Sequence, residues 1–124
     1  MVTALYAALG ALWIVFLTFK VVGERRGNRV AYADGGVKSL QMARSAHSNA
    51  TETIPMAIIL LGLMELGGGH GLLIHFLGIA LLVGRFLHAR AILADKLKGR
   101  VAGMVITLGV ILLAAVGNLV YFFI

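Results

Sequence analysis

Four long apolar stretches, separated by short clusters of charge, constrain this chain more than any other feature. They run from about Val2 to Val22, Ala43 to Leu66, Leu72 to Leu93 and Val101 to Ile124. Each reaches the roughly 20 residues that span a ~30 Å hydrocarbon core. Lipid offers no hydrogen-bond partners, so every backbone N–H and C=O in such a stretch must be satisfied within it, as an α-helix does. The expected fold class is therefore all-α: an integral membrane bundle of four transmembrane helices, one domain over residues 1–124. Composition agrees. A chain that is 60% apolar and 13% charged carries more apolar surface than a water-soluble fold of this size can hide.

The first stretch is not a secretory leader by its flanks. Its positive charge follows the apolar run, at Lys20, Arg25 and Arg26, and no small-residue cleavage site comes before those charges. It reads as a retained helix. The three connections differ. The first, about Gly23 to Met42, holds Arg25, Arg26, Arg29 and Lys38; the second is Gly67-Gly68-Gly69-His70-Gly71; the third holds Lys96, Lys98 and Arg100. With the flanking Lys20, Arg44 and Arg90, ten of the eleven Lys and Arg fall on one side of the membrane, and the eleventh, Arg85, lies inside a span. The excess of Lys and Arg on cytoplasmic loops puts connections one and three in the cytoplasm and both termini outside. The same argument accounts for the net charge of +6 without nucleic acid, since no basic face carries exposed aromatics. Possible close-packing faces are Ala4, Ala7, Ala8 and Ala11 on the first helix and the Gly99/Gly103 pair at the start of the fourth.

The chemistry concentrates at the start of the second span, in Arg44-Ser45-Ala46-His47-Ser48-Asn49-Ala50-Thr51-Glu52. At about 100° per residue, Arg44, Ser48, Thr51 and Glu52 share an arc of about 100°, with Asn49 about 60° beyond Glu52 and Ala46, Ala50 and Ala57 opposite. A polar face of this kind cannot point at lipid. Glu52 lies about 12 Å deeper than Arg44 by helix rise. A lone charge at that depth costs several kcal/mol, on the order of 2.5–3.5 or more. Arg85 lies at comparable depth on the third helix, with His88 one turn nearer the basic end. The expectation is a Glu52–Arg85 ion pair flanked by Asn49 and His88, forming a pocket open to the cytoplasm. A metal is not expected there, because His47 and His88 lack a third nearby ligand and Arg85 repels cations. The chain has no cysteine, so any thiol chemistry must use a thiol carried by a ligand. Arg25, Arg26 and Arg29 read as topology determinants and membrane-lipid contacts, or as carboxylate-binding groups that reach the pocket.

The run Arg44 to Pro55, with Asn49, Glu52 and Pro55 in place and His47 two before the Asn, resembles the second-helix signature of the MAPEG family (membrane-associated proteins in eicosanoid and glutathione metabolism). Arg25-Arg26-Gly27-Asn28-Arg29-Val30 looks like the basic end of that family's first helix, and Arg85-Phe86-Leu87-His88 is similar to its third-helix motif. The stretch from Arg29 to Gly36 looks most like the bacterial YecN-type branch, and the resemblance covers nearly the whole chain. It implies a homotrimer of a bacterial inner membrane with glutathione as co-substrate, bound between subunits near the cytoplasmic face. Arg26, Asn49, Glu52 and His88 would hold the charged ends of the tripeptide, within a wider candidate set of Arg25, Arg29, Arg44, His47 and Arg85. Arg100 would stabilise the thiolate. The sequence departs from the family pattern at Ser45, where an Arg is usual, and at Thr53 and Ile92, where Tyr is frequent. The functional expectation is a glutathione-dependent transferase or peroxidase acting on hydrophobic electrophiles. The alternative is a MAPEG scaffold that binds a lipid or protein partner without catalysis. A small dual-topology exporter fits poorly, because such proteins need a weak Lys/Arg bias.

Overall fold

The computed structural model describes all residues, Met1–Ile124. It contains four helices and no strand: α1 (Thr3–Asn28), α2 (Lys38–Leu66), α3 (Gly71–Leu93) and α4 (Leu97–Phe123). Each is long and apolar enough to cross a membrane. The hydropathy reading underestimates three of them, starting the fourth at Val101 where α4 begins at Leu97. It ends the first stretch at Val22 and starts the second at Ala43, whereas α1 continues to Asn28 and α2 begins at Lys38. Hydropathy marks the hydrocarbon boundary, but the helical hydrogen-bond ladder runs on into the interfacial region, where basic side chains are solvated.

The helix ends at the basic side are closed locally. Arg29 adopts a left-handed φ of 55°, and the Val30 N–H donates back to the Arg25 carbonyl at 3.0 Å. Asp95 does the same after α3, with the Lys96 N–H on the Ala91 carbonyl at 2.8 Å. Both satisfy carbonyls that a helix end otherwise leaves open. Side chains then tie the connections together. Arg25 donates to the Ala33 carbonyl at 2.8 Å, Ser39 donates to Glu24 at 2.7 Å, and Lys38 pairs with Asp95 at 2.8 Å. At the opposite end, the Glu65 carboxylate accepts the N–H groups of Val2 at 2.5 Å and Thr3 at 2.8 Å. An acceptor with negative charge is favourable at a helix N-terminus, where amides have no helical partner.

Two apolar clusters hold the bundle. Leu17, Ala46, Ala50, Ile54 and Ala89 pack toward the basic end. Ala57, Leu61, Met64, Ile74, Leu77, Leu81, Val110 and Ala114 pack toward the glycine-rich end. The face of α2 opposite its polar residues is thus the buried one, as the rotation angles require. Only 26 of 124 residues are buried, and large apolar side chains on every helix point outward, as lipid contact demands.

Close packing falls partly where the small residues suggested. A Cβ on Gly103 would sit 2.6 Å from the Gly84 carbonyl oxygen and the His88 nitrogen, and one on Gly99 would sit 2.8 Å from Ala91. The Gly99/Gly103 stripe therefore lets α4 lie directly on α3. The alanines of α1 do not serve this purpose. Ala4, Ala8 and Ala11 are exposed, and α1 packs through Thr3, Tyr6, Gly10 and Leu17 instead. Rotation decides this: Tyr6, Gly10 and Leu17 repeat at spacings of four and seven and form one stripe, while the alanines lie to the side of it.

Candidate functional site

The first turns of α2 carry alternating small apolar and polar residues, so burying Ala43, Ala46 and Ala50 turns the polar ones outward. Together with the ends of α3 and α4 and the first connection, they enclose a cleft of about 440 Å³. Its walls are Asp34, Gln41, Arg44, Ser45, Ser48, Asn49, Glu52, His88, Ile92 and Arg100. Of the residues expected from sequence, Arg44, Asn49, Glu52, His88 and Arg100 meet here. A second cleft of about 430 Å³ runs along α4, lined by Leu97, Val101, Met104, Val105 and Leu108. The two clefts share Asn49, His88 and Arg100.

The expected Glu52–Arg85 ion pair is not formed. Arg85 is 2% exposed, and its guanidinium donates through Nε to Thr107 Oγ1 at 2.8 Å, through Nη1 to Asn49 Oδ1, and through Nη2 to Met104 Sδ at 3.7 Å. Glu52 is exposed and accepts from Ser48 Oγ at 3.1 Å. The cause is rotation. Asn49 and Glu52 differ by about 60° around α2, and the packing of α3 and α4 brings Arg85 to the Asn49 side. A buried guanidinium thus has only neutral partners within the chain, while the membrane carboxylate faces the open cleft. The nearest charges around the cleft are cationic at Arg44 and Arg100 and anionic at Glu52 and Asp34. Arg44 stands 3.8 Å from Asp34. The Gly36 N–H, donating to Asp34 at 2.8 Å, holds that carboxyl below its ordinary range, with Gln41 and the Arg44 charge adding to the effect.

The remaining expected residues lie elsewhere. Arg25 is engaged with the first connection, and Arg26 and Arg29 are exposed at the end of α1. His47 is half-buried and lines no part of the cleft. It stands about 200° around α2 from Asn49. The sequence reading missed Asp34, Gln41 and Ser45 as cleft residues. Gln41 was detectable, since it precedes Arg44 and Ser45 by three and four positions, but only for a helix already begun at Lys38. Thr107 gave a weaker signal, as one hydroxyl in an apolar span. The departures from the family pattern separate here: Thr53 is buried and donates to the Asn49 carbonyl at 2.8 Å, so it turns from the cleft, whereas Ser45 and Ile92 line it.

Fold and site together define a four-helix membrane protein with a charged cleft at its basic end, joined to an apolar one. The sequence profile of the MAPEG family matches residues 3–120, and the chain belongs to that family. It is similar to the inner membrane protein YecN of Escherichia coli strain K12, with 43% identity over 121 residues, covering 98% of this chain and 92% of that protein. The YecN protein of Escherichia coli O6:H1 matches over the same length with the same identity. The name of these relatives places them in the inner membrane and states no reaction.

Proposed function

We propose that this chain is a glutathione-dependent transferase or peroxidase acting on hydrophobic electrophiles, working as a homotrimer with both termini in the periplasm. The observation that carries this reading is the junction of a charged cleft with an apolar one at Asn49, His88 and Arg100. A tripeptide with two carboxylates and one ammonium matches Arg44 and Arg100 on one side and Glu52 on the other. A guanidinium beside a thiol favours the thiolate, whose free pKa is about 8.5. With Arg100 in that role, the thiol proton leaves to water. The thiolate then attacks an electrophilic carbon held along Val101, Val105 and Leu108, forming a C–S bond as the leaving group departs with its electron pair. With a hydroperoxide, two glutathiones are oxidised to the disulfide while the peroxide is reduced to an alcohol and water.

The trimer rests on the exposed polar face of α2. Arg44, Ser48, Thr51 and Glu52 have no cover within one chain, and lipid is a poor neighbour for them. A second copy supplies a wall, and it brings Arg26 or Arg29 within reach of a site they do not line in their own subunit. The scaffold reading has one observation in its favour: Ile92 is the only hydrophobic residue of the charged cleft, at a position where the family resemblance leads one to expect a tyrosine. Isothermal titration of the purified protein with glutathione separates the two. The enzyme reading expects weak binding, roughly −6 to −4 kcal/mol. No heat at millimolar glutathione, about −4 kcal/mol in affinity, rejects it in favour of the scaffold.

A further inference from the structure

A groove unrelated to the charged cleft opens between α1 and α3 on the outer surface of the bundle. It holds about 340 Å³ and is lined by Trp13, Phe16, Lys20, Phe86, Arg90, Leu93 and Ala94. Helix α1 packs chiefly on α2 and only lightly on α3, which leaves this seam open. Three aromatic rings form its floor. Trp13 stacks on Phe16 with centroids 5.2 Å apart and leans on Phe86 across the seam at 5.5 Å. Lys20 Nζ lies 5.5 Å from the centre of the Phe16 ring. Both helices run toward the basic end, so the depths follow from helix rise. Trp13 lies about 10 Å below Lys20, and Phe86 lies about 6 Å below Arg90.

Two exposed cations therefore stand at the interface above an aromatic slot that descends into the hydrocarbon. Neither takes part in an ion pair; the two ion pairs of the chain are Lys38–Asp95 and Arg44–Asp34. The order of chemistry with depth, cation above aromatic, is that of an anionic phospholipid read from headgroup to upper acyl chain. A zwitterionic lipid brings its own cation to the same two groups and is disfavoured. We propose that the α1–α3 groove is a binding site for one anionic phospholipid of the leaflet at the basic end, with Lys20 and Arg90 on the phosphate and Trp13, Phe16 and Phe86 against the upper acyl chain. Leu93 and Ala94 line the groove at its mouth.

Trp13 is the only tryptophan, so its fluorescence reports on this groove alone. The full chain is reconstituted in phosphatidylcholine bilayers doped with phosphatidylglycerol or phosphatidylcholine brominated on the upper acyl chain. Two basic groups facing one anionic headgroup favour it by about tenfold or more, so brominated phosphatidylglycerol should quench Trp13 at correspondingly lower mole fraction. The Lys20→Gln/Arg90→Gln variant should lose that preference. Both residues are exposed and unpaired, so the variant should fold. The Arg26→Gln/Arg29→Gln variant, equal in charge removed at residues that do not line the groove, should keep it. Equal quenching by the two lipids overturns the proposal. So does a preference that survives loss of Lys20 and Arg90, or one that disappears in the Arg26/Arg29 control. Absence of quenching by either lipid also overturns it, by showing the groove covered by another copy of the chain.

Discussion

Arg85 on α3 is hydrogen-bonded to Asn49 on α2, so the buried guanidinium lies behind the charged cleft and the cleft's membrane carboxylate, Glu52, pairs with no cation. Thr107 holds the same guanidinium from α4, and three helices are thereby tied at one charge. This single relationship separates structural from ligand-facing polar groups.

A double-mutant cycle tests that separation. Asn49→Leu should destabilise the protein in detergent by about 1.5–3 kcal/mol, the range for a hydrogen bond to a charged group. In combination with Arg85→Leu the losses should be non-additive by about 0.5–3 kcal/mol, as for residues in direct contact. Glu52→Gln should cost little and add to Arg85→Leu within about 0.5 kcal/mol. Strong coupling between Glu52 and Arg85 in denaturant titrations would contradict the observed pairing.

Gly103 of α4 packs directly against Gly84 and His88 of α3. Gly103→Ala should destabilise by about 1–3 kcal/mol through overpacking against the Gly84 carbonyl and His88. A thermal unfolding midpoint equal to that of the unaltered protein would show that α4 can shift without cost.

Acid stability should depend on Asp34 and Asp95. Hydrogen bonds from Gly36 and from Lys38 hold the two carboxyls below their ordinary value of 3.8 in the folded chain. A folded value below the unfolded one means stability that is present above 3.8 and lost as pH falls below it through the folded values. Both groups lie at the surface, so the effect is small and screened by salt. The Asp34→Asn/Asp95→Asn variant should show a flatter acid limb in unfolding curves recorded at low salt. An unchanged limb assigns acid sensitivity to other groups.

Topology is open to direct reporting. With ten Lys and Arg at one end, a C-terminal alkaline phosphatase fusion should be active and a C-terminal green fluorescent protein fusion dark. The reverse pattern would place the charged cleft in the periplasm and remove its access to cytoplasmic glutathione.

Within the enzyme reading, binding and activation should divide by residue. Arg44→Ala should weaken glutathione binding by about 1.5–3 kcal/mol, the worth of a charge-assisted contact. Arg100→Ala should leave affinity nearly unchanged and remove the ultraviolet absorbance of bound thiolate. If Arg100→Ala loses affinity and the thiolate signal together, Arg100 is a carboxylate clamp instead.

The sequence by itself determined the number of spans, their helical form, the charge asymmetry and the polar face of α2. These are one-dimensional properties: lipid forbids unsatisfied backbone, and a helix maps spacing onto angle. It also carried the family, because Asn49, Glu52 and Pro55 lie within one helix whose spacing survives in the linear text. Partnership across helices was decided by the tertiary structure. Glu52 and Asn49 lie within one turn of each other, about 4.5 Å apart in depth, so a long Arg85 side chain can reach either, and the rotation and offset of α3 and α4, set by Gly84, Gly99 and Gly103, selected Asn49. Thr107 entered the site for the same reason, and Asp34 entered through the fold of the first connection. Where α1 and α3 separate, the same packing left the groove under Lys20 and Arg90, two cations that the linear sequence assigns only to topology.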